Sequence, residues 1–213
     1  MRRDRRIGTS RGVRAAMFAE QVAAWQRDRQ AWAEHHPVTA ALAEPLEIVA
    51  VNEPWLTTAT TDGRRIAFNP DWSAELNGLQ RRQVQEHLVW HAAAGDYQPR
   101  NVRDPRRWHL ACDHAVNTQL LQLGAELPND AVLFPCAVSW RRKEVYDWLY
   151  SHPCPEREQS ADQLAWQVQA AFPMADPLQL DDARRQYILA TVQRFLGTPW
   201  LPDTVAAWLL GRR

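Results

Sequence analysis

The chain is poor in cysteine, almost devoid of lysine, and carries no excess of charge. Its three cysteines, Cys112, Cys136 and Cys154, are an odd number and form no CxxC pair. They point to neither a disulfide framework nor a cysteine-rich zinc knuckle. Lys143 is the sole lysine among 25 Lys and Arg residues, which balance 25 Asp and Glu to a formal net charge of zero. That balance argues against a dedicated nucleic-acid binder. The basic start, MRRDRRIGTSRGVR, has no apolar run behind it. No secretory signal is read there, and a cytoplasmic location is expected. No apolar run is long enough to cross a bilayer.

What is present is apolar surface and tryptophan. Hydrophobic residues make up 46% of 213, enough for a globular chain with a real core. Eleven tryptophans are many for this length. Trp25, Trp32, Trp90, Trp108, Trp148, Trp166 and Trp208 fall in helical stretches and read as core anchors.

Ala15 to His36 shows the 3.6-residue period and ends at Pro37. LEIVAV (46–51) reads as a strand. LTTATTDGRRIAFNPDW reads as a hairpin, because Asp62 and Gly63 tolerate the positive φ of a two-residue turn. A helix starts at Ser73 or Asn77 and stops at Gly95. Asp104-Pro105 starts another, closed by Gly124. Ser139 is the expected N-cap of a helix through Tyr150. SHPCPEREQS is a polar, proline-rich linker, and the segments beyond it are helical in pattern. The expected organisation is a basic tail over 1–14, a domain over 15–152, a linker over 153–160 and a helical segment over 161–213 packed on that domain. The expected fold class is α+β: a helical body carrying a small antiparallel hairpin or sheet.

The chemistry concentrates in VQEHLVWHAAAGD. His87 and His91 are one helical turn apart and share a face, so each can offer one nitrogen to a single Zn²⁺. In a zinc peptidase of this type the residue after the first His is a Glu that serves the metal-bound water; here it is Leu88. Glu86 points about 100° away from His87 around the helix axis and does not replace it. His-x-x-x-His is weak by itself, and a pair of partly buried, hydrogen-bonded histidines is the plain alternative. The next helix adds weight. Asp113 and Asn117 lie one turn apart in WHLACDHAVN, and an antiparallel helix pair would bring Asp113 over the histidines. Asp96 is a rival third ligand. His109 shares the face of Asp113, whereas His114 points away. A buried carboxylate bonded to neighbouring backbone or to an Arg such as Arg103 or Arg107 is the plain reading of Asp113.

TTDGRRIAFNPDW, HLVWHAAAGD, RDPRRWHLACDHAVNTQLL, LP and RKEVYDWLY occur in that order. Over about Thr57 to Tyr150 this series resembles the metallopeptidase domain of bacterial proteins that often carry a von Willebrand factor A-like domain downstream. Those proteins are commonly encoded near MoxR-type AAA+ ATPases. The resemblance implies a zincin-like fold, with His87 and His91 as zinc ligands and Asp113 and Asn117 matching the family's Asp and Asn. Leu88 replaces the catalytic Glu, and Asp96 replaces the His that usually follows Gly95. The implied protein is a zincin-type homologue that keeps a Zn site but lacks its base, and acts in binding or assembly. An AAA+ ATPase or a von Willebrand factor A-like protein is the implied partner. Two alternatives stand beside it: an active peptidase whose base is Asp96 or Glu144, and a metal-free scaffold.

Overall fold

Helix propensity and punctuation account for the ends of most elements in the computed structural model, which describes residues 4–152, 160–168 and 176–211. Helix α1 (Asp4–Ala33) starts well before the expected Ala15, so residue 14 marks no element boundary. Pro37 opens α2 (Pro37–Ala43), where its fixed φ suits a first turn. Asn69 caps α3 (Pro70–Glu75) by accepting from the Asp71 and Trp72 amides. Asn77 and Gln80 form a reciprocal capping box at the start of α4 (Gly78–Ala94), and Gly95 ends that helix at φ 74°. Asp104 accepts from the Arg107 amide to cap α5 (Pro105–Gln122). A 3₁₀ turn (Pro135–Ala137) precedes α6 (Arg142–Ser151). The cap of α6 is Arg141, not Ser139, because the Glu144 carboxylate reaches back to accept from the Arg141 amide at 2.7 Å. Two more helices follow, α7 (Pro177–Phe195) and α8 (Asp203–Leu209).

Three short strands form one sheet: β1 (Glu47–Ala50), β2 (Ala59–Thr61) and β3 (Arg65–Phe68). The β2–β3 pair is the antiparallel hairpin that Asp62-Gly63 announces; Gly63 has φ 82°, and Asp62 Oδ1 accepts from the Arg64 and Arg65 amides. β1 lies on the other side of β3 and pairs with it in parallel, Ile48 opposite Ile66, so the sheet is mixed in the order β1-β3-β2. The chain leaves β1, crosses the end of the sheet, descends as β2 and returns as β3 between them, so the parallel pair needs no helical crossover. β2 forms one edge of the sheet.

The main core joins α1, α2, the sheet, α4, α5, α7 and α8. Trp25 stacks on Phe68 with centroids 4.4 Å apart and donates its indole N–H to Ser73 Oγ. Leu88, Trp90, Ile188, Val192 and Val205 belong to the same buried cluster. The C-terminal helices therefore share the core of the α4 helix. A smaller cluster of Leu110, Phe134, Val145 and Leu149 seats α6 against α5. The expected linker falls mainly on 153–159, outside the described residues. The helix expected from Ala161 is absent over 161–168, where the chain turns instead.

Candidate metal centre

α4 and α5 run antiparallel: His87 meets Asn117, and His91, one turn further along α4, meets Asp113, one turn earlier on α5. The side chains between the helices are buried. His91 is fully enclosed, Asp113 is 1% exposed, and His87, at 8%, is the more open of the two histidines.

Hydrogen bonds fix how both imidazoles present themselves. Asn117 Nδ2 donates to the Val132 carbonyl at 3.1 Å, which orients its amide and leaves Oδ1 to accept from His87 Nδ1 at 2.8 Å. Asp96 Oδ2 accepts from His91 Nδ1 at 2.9 Å, and Arg142 holds the other Asp96 oxygen. In the neutral rings each Nε2 is then a bare lone pair. These two atoms face each other at 2.9 Å, with Asp113 Oδ1 3.1 Å from one and 3.6 Å from the other. Acceptors converging this closely in a buried space need a cation between them.

A second carboxylate enters from the segment 160–168. Asp162 Oδ1 is 3.9 Å from His87 Nε2, and Asp162 Oδ2 is 3.9 Å from His91 Nε2. Asp162 is 5% exposed, and its Oδ2 has no hydrogen-bond partner among the described residues. His87, His91, Asp113 and Asp162 thus form a group that could hold a metal ion, with one ligand atom from each lying within 4.8 Å of the others. Zinc bonds of about 2.0–2.2 Å in a tetrahedron place ligand atoms roughly 3.3–3.6 Å apart. The observed separations bracket that spacing, so the residues fit the ion.

The outer contacts are also filled. Ser160 Oγ donates to Asp113 Oδ2 at 2.5 Å and lies 2.7 Å from Asp162 Oδ1 and 2.9 Å from His109 Nε2. His109 Nε2 is 2.8 Å from Asp162 Oδ1. Burial acts against ionising Asp113, but His109, His87 and His91 outweigh it and hold its carboxyl well below the usual range. Burial likewise opposes ionisation of Asp162, and His109 and His91 bring it to about 2. For His91, burial is outweighed by Asp162, Asp113 and Asp96, which raise its pKa well above the ordinary value. Negative charge in the cluster favours a cation, whether proton or metal.

The segment bearing Asp162 is pinned to the β2 edge of the sheet. The Gln163 amide donates to the Ala59 carbonyl of β2 at 2.8 Å, and Thr60 Oγ1 donates to the Gln163 carbonyl. The Gln163 side-chain oxygen accepts from the Thr57 and Thr58 amides. A cavity of about 340 Å³ adjoins the cluster, lined by His87, Asp113, Asn117 and Ser160 and by the apolar side chains of Trp72, Val84 and Val132.

The residues singled out from sequence sort cleanly. His87, His91 and Asp113 come together. Asp96 sits on the Nδ1 side of His91, outside the group, where it orients the ring. Glu144 caps α6, and Glu86 is taken by His36 Nδ1 at 2.7 Å, so neither reaches the cluster. Leu88 is fully buried in the main core. His114 faces the Ala137 carbonyl and the Phe134 amide. Arg107 pairs with Asp104, and Arg103 and Arg107 both lie over the Tyr150 ring, so Asp113 has neither as its partner. Asp162 and Ser160 were not anticipated. Their one sequence signal is a hydroxyl and a carboxylate two residues apart, where the proline-rich stretch ends.

A family model described as "Putative metallopeptidase domain" matches residues 21–172, and the chain belongs to this family. The match takes in α4, α5 and the Asp162 segment. No curated protein and no solved structure matches the chain. Among the described residues, no helix is long and apolar enough to cross a membrane.

Proposed function

We propose that this protein is a zinc-holding member of its metallopeptidase family that does not hydrolyse peptides. Its ion would be held by His87 Nε2, His91 Nε2, Asp113 and Asp162. The observation that carries this reading is Asp162. Catalytic zinc sites keep one position open for water, whereas structural sites are closed by four protein ligands. Asp162 supplies a fourth ligand from a segment lying along β2, the edge where an extended substrate would pair. Leu88 supports the same reading from the other side, because an alkyl side chain neither takes a proton from water nor returns one. General-base assistance is worth roughly 10²–10⁴-fold. When bound, zinc would supply a fixed divalent charge; Asn117 and Asp96 orient its two histidines, and Ser160 orients Asp113.

The role left to such a molecule is binding or assembly. A partner of the kind the resemblance implies, a MoxR-type AAA+ ATPase or a von Willebrand factor A-like protein, belongs to this reading. Exposed Leu189, Leu196 and Trp200 offer apolar surface for one. The test is to incubate zinc-loaded protein with casein and a peptide library, with and without chelator. No cleavage is expected. Chelator-sensitive cleavage that disappears in a His87→Ala variant would overturn the proposal.

A further inference from the structure

A second cleft lies between α5, α6 and the C-terminal helix, and of the residues lining it only Arg142, through Asp96, reaches the proposed zinc centre. Its volume is about 430 Å³, within the range of small-molecule sites. Arg100, Arg141, Arg142, Lys143 and Arg184 line it, and among the described residues no Asp or Glu does. This concentration of one sign is unusual in a chain whose net charge is zero. Two of the cations are committed elsewhere: Arg142 to Asp96, and Arg184 to Asp181 and the Ala93 carbonyl. Lys143 meets Asp147 in an exposed pair, which a stronger anion displaces at little cost. Arg100 and Arg141 form no ion pair among the described residues.

The wall also carries flat aromatic surface. Trp140 is 37% exposed and is held edge-on by Trp148, with centroids 6.2 Å apart. Trp208 packs against buried Trp90 at 5.8 Å. Both rings are thus anchored before anything binds. Guanidinium groups match phosphate oxygens in geometry and charge, and a fixed indole offers a stacking face to a planar base. A simple anion would leave the tryptophans unused, and a long nucleic acid would need a basic surface extending beyond one cleft.

We infer that this cleft binds a nucleotide, with its phosphates on Arg100 and Arg141 and its base against Trp140. The inference does not depend on the zinc reading. The test is titration calorimetry of the full chain with ADP and, separately, with pyrophosphate. ADP should bind in the micromolar range, and more tightly than pyrophosphate. The Arg100→Ser, Arg141→Ser double variant, checked for folding by circular dichroism, should bind both at least about tenfold more weakly. Trp140→Ala should weaken ADP and leave pyrophosphate unchanged. His87→Ala, confirmed as folded by circular dichroism, should leave ADP binding intact. The inference is overturned if ADP gives no heat at millimolar concentration or binds the double variant as well as the parent. It is overturned equally if ADP and pyrophosphate bind alike, or if His87→Ala abolishes ADP binding and so places the ligand on the metal.

Discussion

At the level of single residues, the cluster is an excess of acceptors. Asn117 and Asp96 take the Nδ1 donors of the two histidines, and two carboxylates face the bare nitrogens that remain. Asn117→Ala should therefore weaken zinc binding by about 10–100-fold, the usual loss when an outer hydrogen bond to a ligand is removed; competition with a fluorescent chelator measures it. Without metal, a proton takes the cation's place. His91 has a raised pKa in the folded state, so its protonation contributes stability that is complete below its ordinary value of 6.5. That contribution is lost as pH rises through the raised folded value. The melting temperature of chelator-treated protein should fall from neutral to alkaline pH, and the zinc-loaded protein should not follow it. In acid the sign reverses: Asp162, held at about 2, contributes stability that disappears as pH falls toward that value. Leu88→Glu would put a carboxylate into the main core, at a cost of several kcal/mol. The expected result is a large drop in melting temperature with no peptidase activity, since on the proposed reading Asp162 would still occupy the fourth position. His87, His91 and Asp113 were legible because helical spacing places them on facing stripes. Asp162 was not, because it comes from a turn whose position depends on the sheet edge and not on any local period.

At the level of elements, α4 is the part that must be held in register, and its ends are fixed by local chemistry. Asn77→Ala removes half of a capping box and should cost about 1 kcal/mol, lowering the melting temperature by roughly 2–4 °C without changing zinc stoichiometry. Gly63→Ala should be worse. The residue sits at φ 82°, and a Cβ there would come within 2.4 Å of the Tyr97 ring, so the β2–β3 turn must shift. The hairpin and the caps of α4 and α5 were readable in advance, because turn and cap residues act through their own backbone. The parallel pairing of β1 was not. Which edge of β3 a strand joins is decided by packing, as when Trp25 stacks on Phe68, and strand sequences do not encode it. The stretch 161–168 has helical composition but forms turns. There Asp162 reaches the cluster, and Gln163 spends its amide and carbonyl on β2 and its side chain on the Thr57 and Thr58 amides just before it, and these tertiary bonds override propensity.

At the level of the whole molecule, the helices after the proline-rich stretch are part of the body. Ile188, Val192, Phe195, Val205 and Leu209 are buried in the same cluster as Leu88 and Trp90. Deleting residues 176–213 should strip cover from α4 and abolish the cooperative thermal transition, as followed by circular dichroism. A truncated chain that melted like the full one would show two independent units. The same body brings a third element, the 160–168 segment, against the α4–α5 pair, and that meeting assembles the four-residue group that could hold a metal ion. The most direct test is the zinc content of untagged protein, parent and Asp162→Ala, after loading and exhaustive dialysis. The parent should retain about one equivalent, as for a structural zinc site, and the variant little. Less than about a tenth of an equivalent in the parent, or full retention without Asp162, would contradict the proposed four-ligand site.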